Sequence, residues 1–93
     1  MFKELVIKLE EGTVDKFDYG KRSKLGGSPD WLQNDETPKC PHCRKKMDFV
    51  AQIDSIDYTG YANPNAEYMF GDVGMIYVFF CKNCGCSTSV FQE

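Results

Sequence analysis

The chain has 93 residues, 11 Lys and Arg against 14 Asp and Glu for a net charge of −3, and seven Phe, five Tyr and one Trp. A chain of that length is expected to form a single domain over 1–93, with a core so thin that it needs a staple such as disulfides or a metal. The acidic balance argues against a general nucleic-acid binder, and the longest apolar run, Met75–Cys81, falls far short of the roughly 20 residues that span a bilayer.

Met1–Leu9 carries Lys3, Glu4 and Lys8 among its apolar residues, and no apolar leader core follows. The expected compartment is therefore the cytoplasm, where thiols stay reduced and five cysteines point to metal or redox chemistry. Phe2–Glu10 sets Leu5, Ile7 and Leu9 in alternation with Lys8 and Glu10 and reads as a strand, with a short helix as the rival reading. Thr13–Lys39 has no sustained period and holds Gly20, Gly26, Gly27, Pro29 and Pro38, so it reads as irregular chain. A loop of that length needs an anchor in a small domain, and Trp31-Leu32 is the expected one.

Met47–Ile56 reads as a strand with Phe49, Ala51 and Ile53 on one side and Asp48, Gln52 and Asp54 on the other, the alternation being broken at Val50. Gln52 has two readings, a mid-strand amide that holds the loop backbone or one that points to a partner. Asp57–Gly74, with four glycines or prolines and two Asn, reads as a long loop. Met75–Cys81 is β-branched and aromatic and is the clearest strand. Ser87–Phe91 closes the set. The expected fold is all-β, a small zinc-ribbon-like antiparallel sheet with long loops.

Cys40-Pro41-His42-Cys43 and Cys81-Lys82-Asn83-Cys84 are two C-x-x-C units separated by residues 44–80. Each such turn can aim two sulfurs at one metal, and two turns together supply the four thiolates that tetrahedral Zn²⁺ accepts. The intervening length costs little, because loop-closure entropy grows logarithmically. If Met47–Ile56 pairs antiparallel with Met75–Cys81, both units fall at one end of the hairpin. The reading is a structural zinc site of Cys40, Cys43, Cys81 and Cys84. Rubredoxin-type iron and dithiol redox chemistry are the alternatives. With all four positions filled by cysteine no open position is left for water, which argues against an enzyme. Cys86 is a rival fifth ligand or a small residue opening the last strand, and His42 reads as a solvated turn residue. Lys39, Arg44, Lys45, Lys46 and Lys82 surround the turns, either to offset the −2 of a zinc tetrathiolate or as a contact patch for acidic protein or RNA.

Several motifs in order extend this. Lys24-Leu25-Gly26-Gly27-Ser28-Pro29-Asp30-Trp31-Leu32-Gln33 precedes the Cys40–Cys43 unit; then come Met47–Ile53, Phe70-Gly71-Asp72-Val73-Gly74 and Tyr77–Cys81. This order is similar to the YwqG-like family of unknown function, in its zinc-bearing short forms, and it resembles the eukaryotic programmed-cell-death-2 proteins, which act as ribosomal-protein chaperones. The resemblance covers residues 24–91. It implies β architecture with zinc and a protein-contact role, and supplies no catalytic residue. The expected function is a small zinc-stabilised interaction module that meets a protein or peptide partner through the 20–38 loop, Trp31 and an open sheet edge. Trp31, Leu32, Gln33, Arg44, Lys45, Lys46 and Lys82 are the candidate contact residues. Nucleic-acid binding through the basic turns and a bacterial immunity-type role are the alternatives; a membrane role is not expected.

Overall fold

The computed structural model describes residues 1–60 and 63–93. Four strands form one antiparallel sheet in chain order: β1 (Lys24–Leu25), β2 (Asp48–Asp54), β3 (Met75–Cys81) and β4 (Cys86–Gln92). β3 is central because it is the most apolar and aromatic segment, and both its neighbours pair with it along its length. The expected hairpin of β2 with β3 forms, with Asp48 opposite Phe80 and Asp54 opposite Met75. The expected closing strand is one residue longer at each end.

A β-bulge lies between Phe49 and Ala51. It corrects the expected facing of β2, because one extra residue turns every later side chain over. Phe49 stays opposite Phe79, whereas Gln52 now stands opposite Tyr77 and Asp54 opposite Met75. Gln52 and Asp54 are thus buried on the core face, while Ala51 and Ile53 share the other face with Val78 and Ile76. The core is built from Cys40, Met47, Met75, Tyr77, Phe79 and Cys81, with Trp31, Leu32, Phe49 and Val90 packed on it.

Met47–Ile56 also ends earlier than expected. Asp54 caps a five-residue helix, α1 (Ser55–Thr59), its carboxylate accepting from Ile56 N. A 3-10 turn follows over Ala66–Tyr68, so the expected long loop is locally structured; its residues 61 and 62 lie outside the described residues. Phe2–Glu10 is not a strand in this structure. Its alternation finds no strand to pair with, and its first residues are held by side chains instead. Lys3 N donates to Asn65 Oδ1, Asn65 Nδ2 donates to Lys3 O, and Phe2 sits beside Tyr58 and Tyr68.

Residues 13–39 are irregular, as expected, apart from the two residues of β1 and a single antiparallel bridge of Lys39 with Lys46. Trp31 anchors them, its ring 4.5 Å from that of Tyr77 and stacked at 5.9 Å on Phe79. Three polar side chains, one from each long strand, hold the same stretch. Gln52 accepts from Asp30 N and donates to Arg22 O and Asp30 Oδ2. Tyr77 Oη donates to Asp30 O and accepts from Leu32 N. Gln92 accepts from Leu32 N and Gln33 N and donates to Asn34 O and Glu36 Oε1. Gln52 therefore holds loop backbone, the first of its two readings. No helix among the described residues is long and apolar enough to cross a membrane.

Candidate metal centre

β3 ends at Cys81 and β4 begins at Cys86, so the second C-x-x-C unit is the turn between them. The first unit precedes β2 and meets it at the same end of the sheet. The two turns are built alike. Arg44 N donates to Cys40 O and Gly85 N to Cys81 O, each at 2.8 Å. The residue after each second cysteine has a left-handed backbone, Gly85 at φ 71° and Arg44 at φ 63°. Glycine adopts that conformation freely, while Arg44 does so against the Cβ clash that costs roughly 1–2 kcal/mol. The glycine that only the second unit has in sequence is thus matched in geometry by the first.

Cys40, Cys43, Cys81 and Cys84 bring their sulfurs within 4.8 Å of one another. Bonds of ~2.3 Å from one zinc ion place tetrahedral sulfurs about 3.8 Å apart, and Cys43 Sγ lies 3.7 Å from Cys81 Sγ. The charges fit as well. The backbone N–H of Cys43, joined by that of His42, draws the Cys40 thiol down to about 6 against its burial. Hydrogen bonding to Cys40 pushes the exposed Cys84 thiol up to about 12. One thiolate thus raises the cost of the next, and a divalent cation is the partner that lets four ionise together. The four cysteines are a set that could hold a metal ion.

Cys86 lies outside this set, yet its Sγ is 3.3 Å from Cys40 Sγ. Hydrogen bonding to Cys40 together with burial pushes its thiol up to about 11, and a protonated Cys86 can donate to a Cys40 thiolate across this contact. Cys86→Ala is expected to weaken metal binding on the order of tenfold, as loss of an outer-shell partner does. Cys86→Ser, which keeps a donor, should stay close to wild type. Competition against a chromophoric chelator measures both, and equal affinities for wild type and Cys86→Ala would remove this role.

His42 is exposed and stands apart from the sulfur set. Arg44, Lys45, Lys46 and Lys82 are exposed around the two turns with Lys39, and among the described residues none of the five is in a salt bridge. Trp31 and Leu32 line a cleft of about 120 Å³ together with Lys16, Phe17 and Tyr19. Gln33 is exposed, and its Nε2 donates to Glu93 O. Phe17 and Tyr19 are 71% and 56% exposed, and sequence reasoning passed over both. The available signal was two large aromatic residues in a polar, glycine-rich stretch that offers them no core.

Comparison with known proteins falls on the same residues. Residues 10–92 match the family model of the programmed cell death protein 2 N-terminal domain. The chain is also 34% identical over 73 residues to the uncharacterized protein YpfL of Salmonella typhimurium strain LT2, an alignment that takes in 76% of this chain. The chain spans 15% of the length of that relative. No solved structure matches. Of the two resemblances drawn from the motifs, these matches support the programmed-cell-death-2 one and not the YwqG-like designation.

Proposed function

The chain belongs to the programmed cell death protein 2 N-terminal domain family, and on that premise we propose that it is a zinc-clipped protein-interaction module with no catalytic activity of its own. Cys40, Cys43, Cys81 and Cys84 hold the metal, whose contribution is structural: it joins two turns distant in sequence and fixes the end of the sheet. The occupant is zinc, whose coordination preference the four sulfurs satisfy without a vacant position for substrate. Lys39, Arg44, Lys45, Lys46 and Lys82 offset the net negative charge of the centre.

The observation that carries the contact role is the aromatic cleft. Phe17, Tyr19, Trp31 and Leu32 present apolar surface beside the cation of Lys16, and the 30–32 side of the cleft is held to the sheet by Gln52, Tyr77 and Gln92. Large aromatic anchors on a rigid backing are the usual centre of a protein contact. An apolar side chain of a peptide or protein partner occupies the cleft. Trp31 is a poor probe of this, because its ring also stacks on Tyr77 and Phe79 and its loss loosens the core. Phe17→Ala is the clean variant, because Phe17 is 71% exposed whereas the Tyr19 ring also covers the buried Arg22 guanidinium at 4.7 Å. It should leave the thermal melt within about 0.5 kcal/mol of wild type and should lose the proteins that the zinc-loaded wild-type chain captures through this cleft. Identical capture by Phe17→Ala would place the contact surface elsewhere. A cytoplasmic setting fits five free cysteines.

A further inference from the structure

β4 has a bare outer edge. It pairs with β3 through all seven residues, Cys86–Gln92. On its other side, none of its backbone groups bonds to another described residue's backbone. Such a row of free N–H and C=O groups is a template for one more strand, and proteins ordinarily guard it with charges, proline or a bulge. Here the guards are missing. The sequence Cys-Ser-Thr-Ser-Val-Phe-Gln has no charge and no proline in a chain that is 27% charged, and its pairing with β3 runs without a register shift. The opposite edge of the sheet is β1, only two residues long.

We propose that β4 pairs antiparallel with β4 of a second copy of this chain, across a two-fold axis at Ser89, to make one continuous eight-stranded sheet. All seven residues pair only if Ser89 meets Ser89, which puts Ser87 opposite Phe91 of the second copy. That register keeps each side chain on its own face, because the residue numbers of every pair sum to an even value. It also extends an existing row. Phe80 stands opposite Ser87 within one copy, and Phe91 stands opposite Ile76. Across the axis the row becomes Phe80, Ser87, then Phe91 of the second copy, then its Ile76. Phe80 and Phe91 are 40% and 47% exposed, and the small Ser87 between them leaves room for both rings to pack.

The absence of charge selects the occupant. An acidic or basic foreign strand finds nothing on β4 to recognise, whereas two neutral copies of β4 meet without the repulsion that a net charge of −3 imposes elsewhere. The pairing is isologous and closes at two, since the β1 edge is too short to continue the sheet. This surface is separate from the aromatic cleft, and the inference does not depend on that reading.

Sedimentation velocity of the zinc-loaded full chain over a concentration series tests it. The mass should rise from the monomer's 10.6 kDa toward twice that value. Ser89 is exposed, so Ser89→Lys and Ser89→Glu should both fold. Each places two like charges face to face at the axis and should stay monomeric throughout. An equimolar mixture of the two should recover the dimer. A wild-type mass that stays at the monomer value overturns the proposal, as does a Ser89→Lys chain that still dimerises. A mixture that fails to reassociate overturns it too, since pairing through any other segment would not respond to opposite charges at residue 89.

Discussion

Replacing Cys81 with Ser, or stripping the metal from the wild-type chain with a chelator, is expected to unfold the end of the sheet that carries the two turns. Structural zinc in small fingers contributes roughly 10–16 kcal/mol of apparent binding energy, while a domain of this size holds about 5–15 kcal/mol of net stability. The dependence is sharpened by composition. Two of the six buried core residues, Cys40 and Cys81, are themselves in the sulfur set, so the sulfur cluster and the apolar core are one unit. Loss of the ion leaves Met47, Phe79 and Trp31 packed around thiols that repel one another when ionised. Near-ultraviolet circular dichroism reports the aromatic packing directly. Its signal should collapse on chelation and return on adding stoichiometric Zn²⁺. A melt that excess chelator does not move would refute the metal clip.

Asp54→Ala is expected to destabilise the fold by about 3–5 kcal/mol through the charge it strands. Arg22 and Asp54 are completely buried, with Arg22 Nε 2.7 Å from Asp54 Oδ2. The same oxygen accepts from Gly20 N, and Oδ1 caps α1 through Ile56 N. Removing the carboxylate leaves a buried guanidinium with no counter-charge and also uncaps the helix. A urea titration should show a lower midpoint at unchanged slope. The paired change Arg22→Met with Asp54→Leu should cost less than Asp54→Ala alone, because it removes both charges together. The pH dependence has a definite sign. Burial raises the Asp54 carboxyl, but the Arg22 guanidinium and the N–H groups of Gly20 and Ile56 outweigh it and hold it below the ordinary value. Its stabilisation is therefore present above the unfolded carboxyl value of about 3.9 and is lost as pH falls through the folded one. The stability gap between wild type and Asp54→Asn should shrink in acid; a gap that widens there would contradict the assignment.

The two halves of the sulfur cluster and the central strand were legible in the sequence because each is local. C-x-x-C spacing is set by one turn, and Met75–Cys81 carries β-branched and aromatic residues in an unbroken run. The anchoring of the 13–39 stretch by Trp31 followed from size and apolarity alone. What could not be read depended on distant partners. The bulge at Val50 turns Gln52 and Asp54 inward, and nothing local to β2 distinguishes a bulge from a skipped alternation. Arg22 belongs in the core only because Asp54 arrives there, 32 residues later. Phe2–Glu10 shows the converse error: it has strand periodicity, but periodicity provides no neighbouring edge, and in this structure Asn65 and two tyrosines hold its start instead. α1 left a faint trace, since Asp54 followed by Asp57 in the first turn is a helix-start pattern, though five residues are too few for any periodic signal.

The three polar side chains that reach the 30–36 stretch come from three different strands, and that distribution acts as a lock on alignment. A slip of β3 by one position would carry the Tyr77 hydroxyl to the opposite face and orphan Asp30 O; a slip of β4 would do the same to Gln92 and release four bonds at once. Apolar residues tolerate such shifts, since one greasy contact replaces another. Directional groups do not. In a sheet this small, fidelity of strand alignment is encoded in an amide, a phenol and a second amide rather than in the amount of hydrocarbon enclosed.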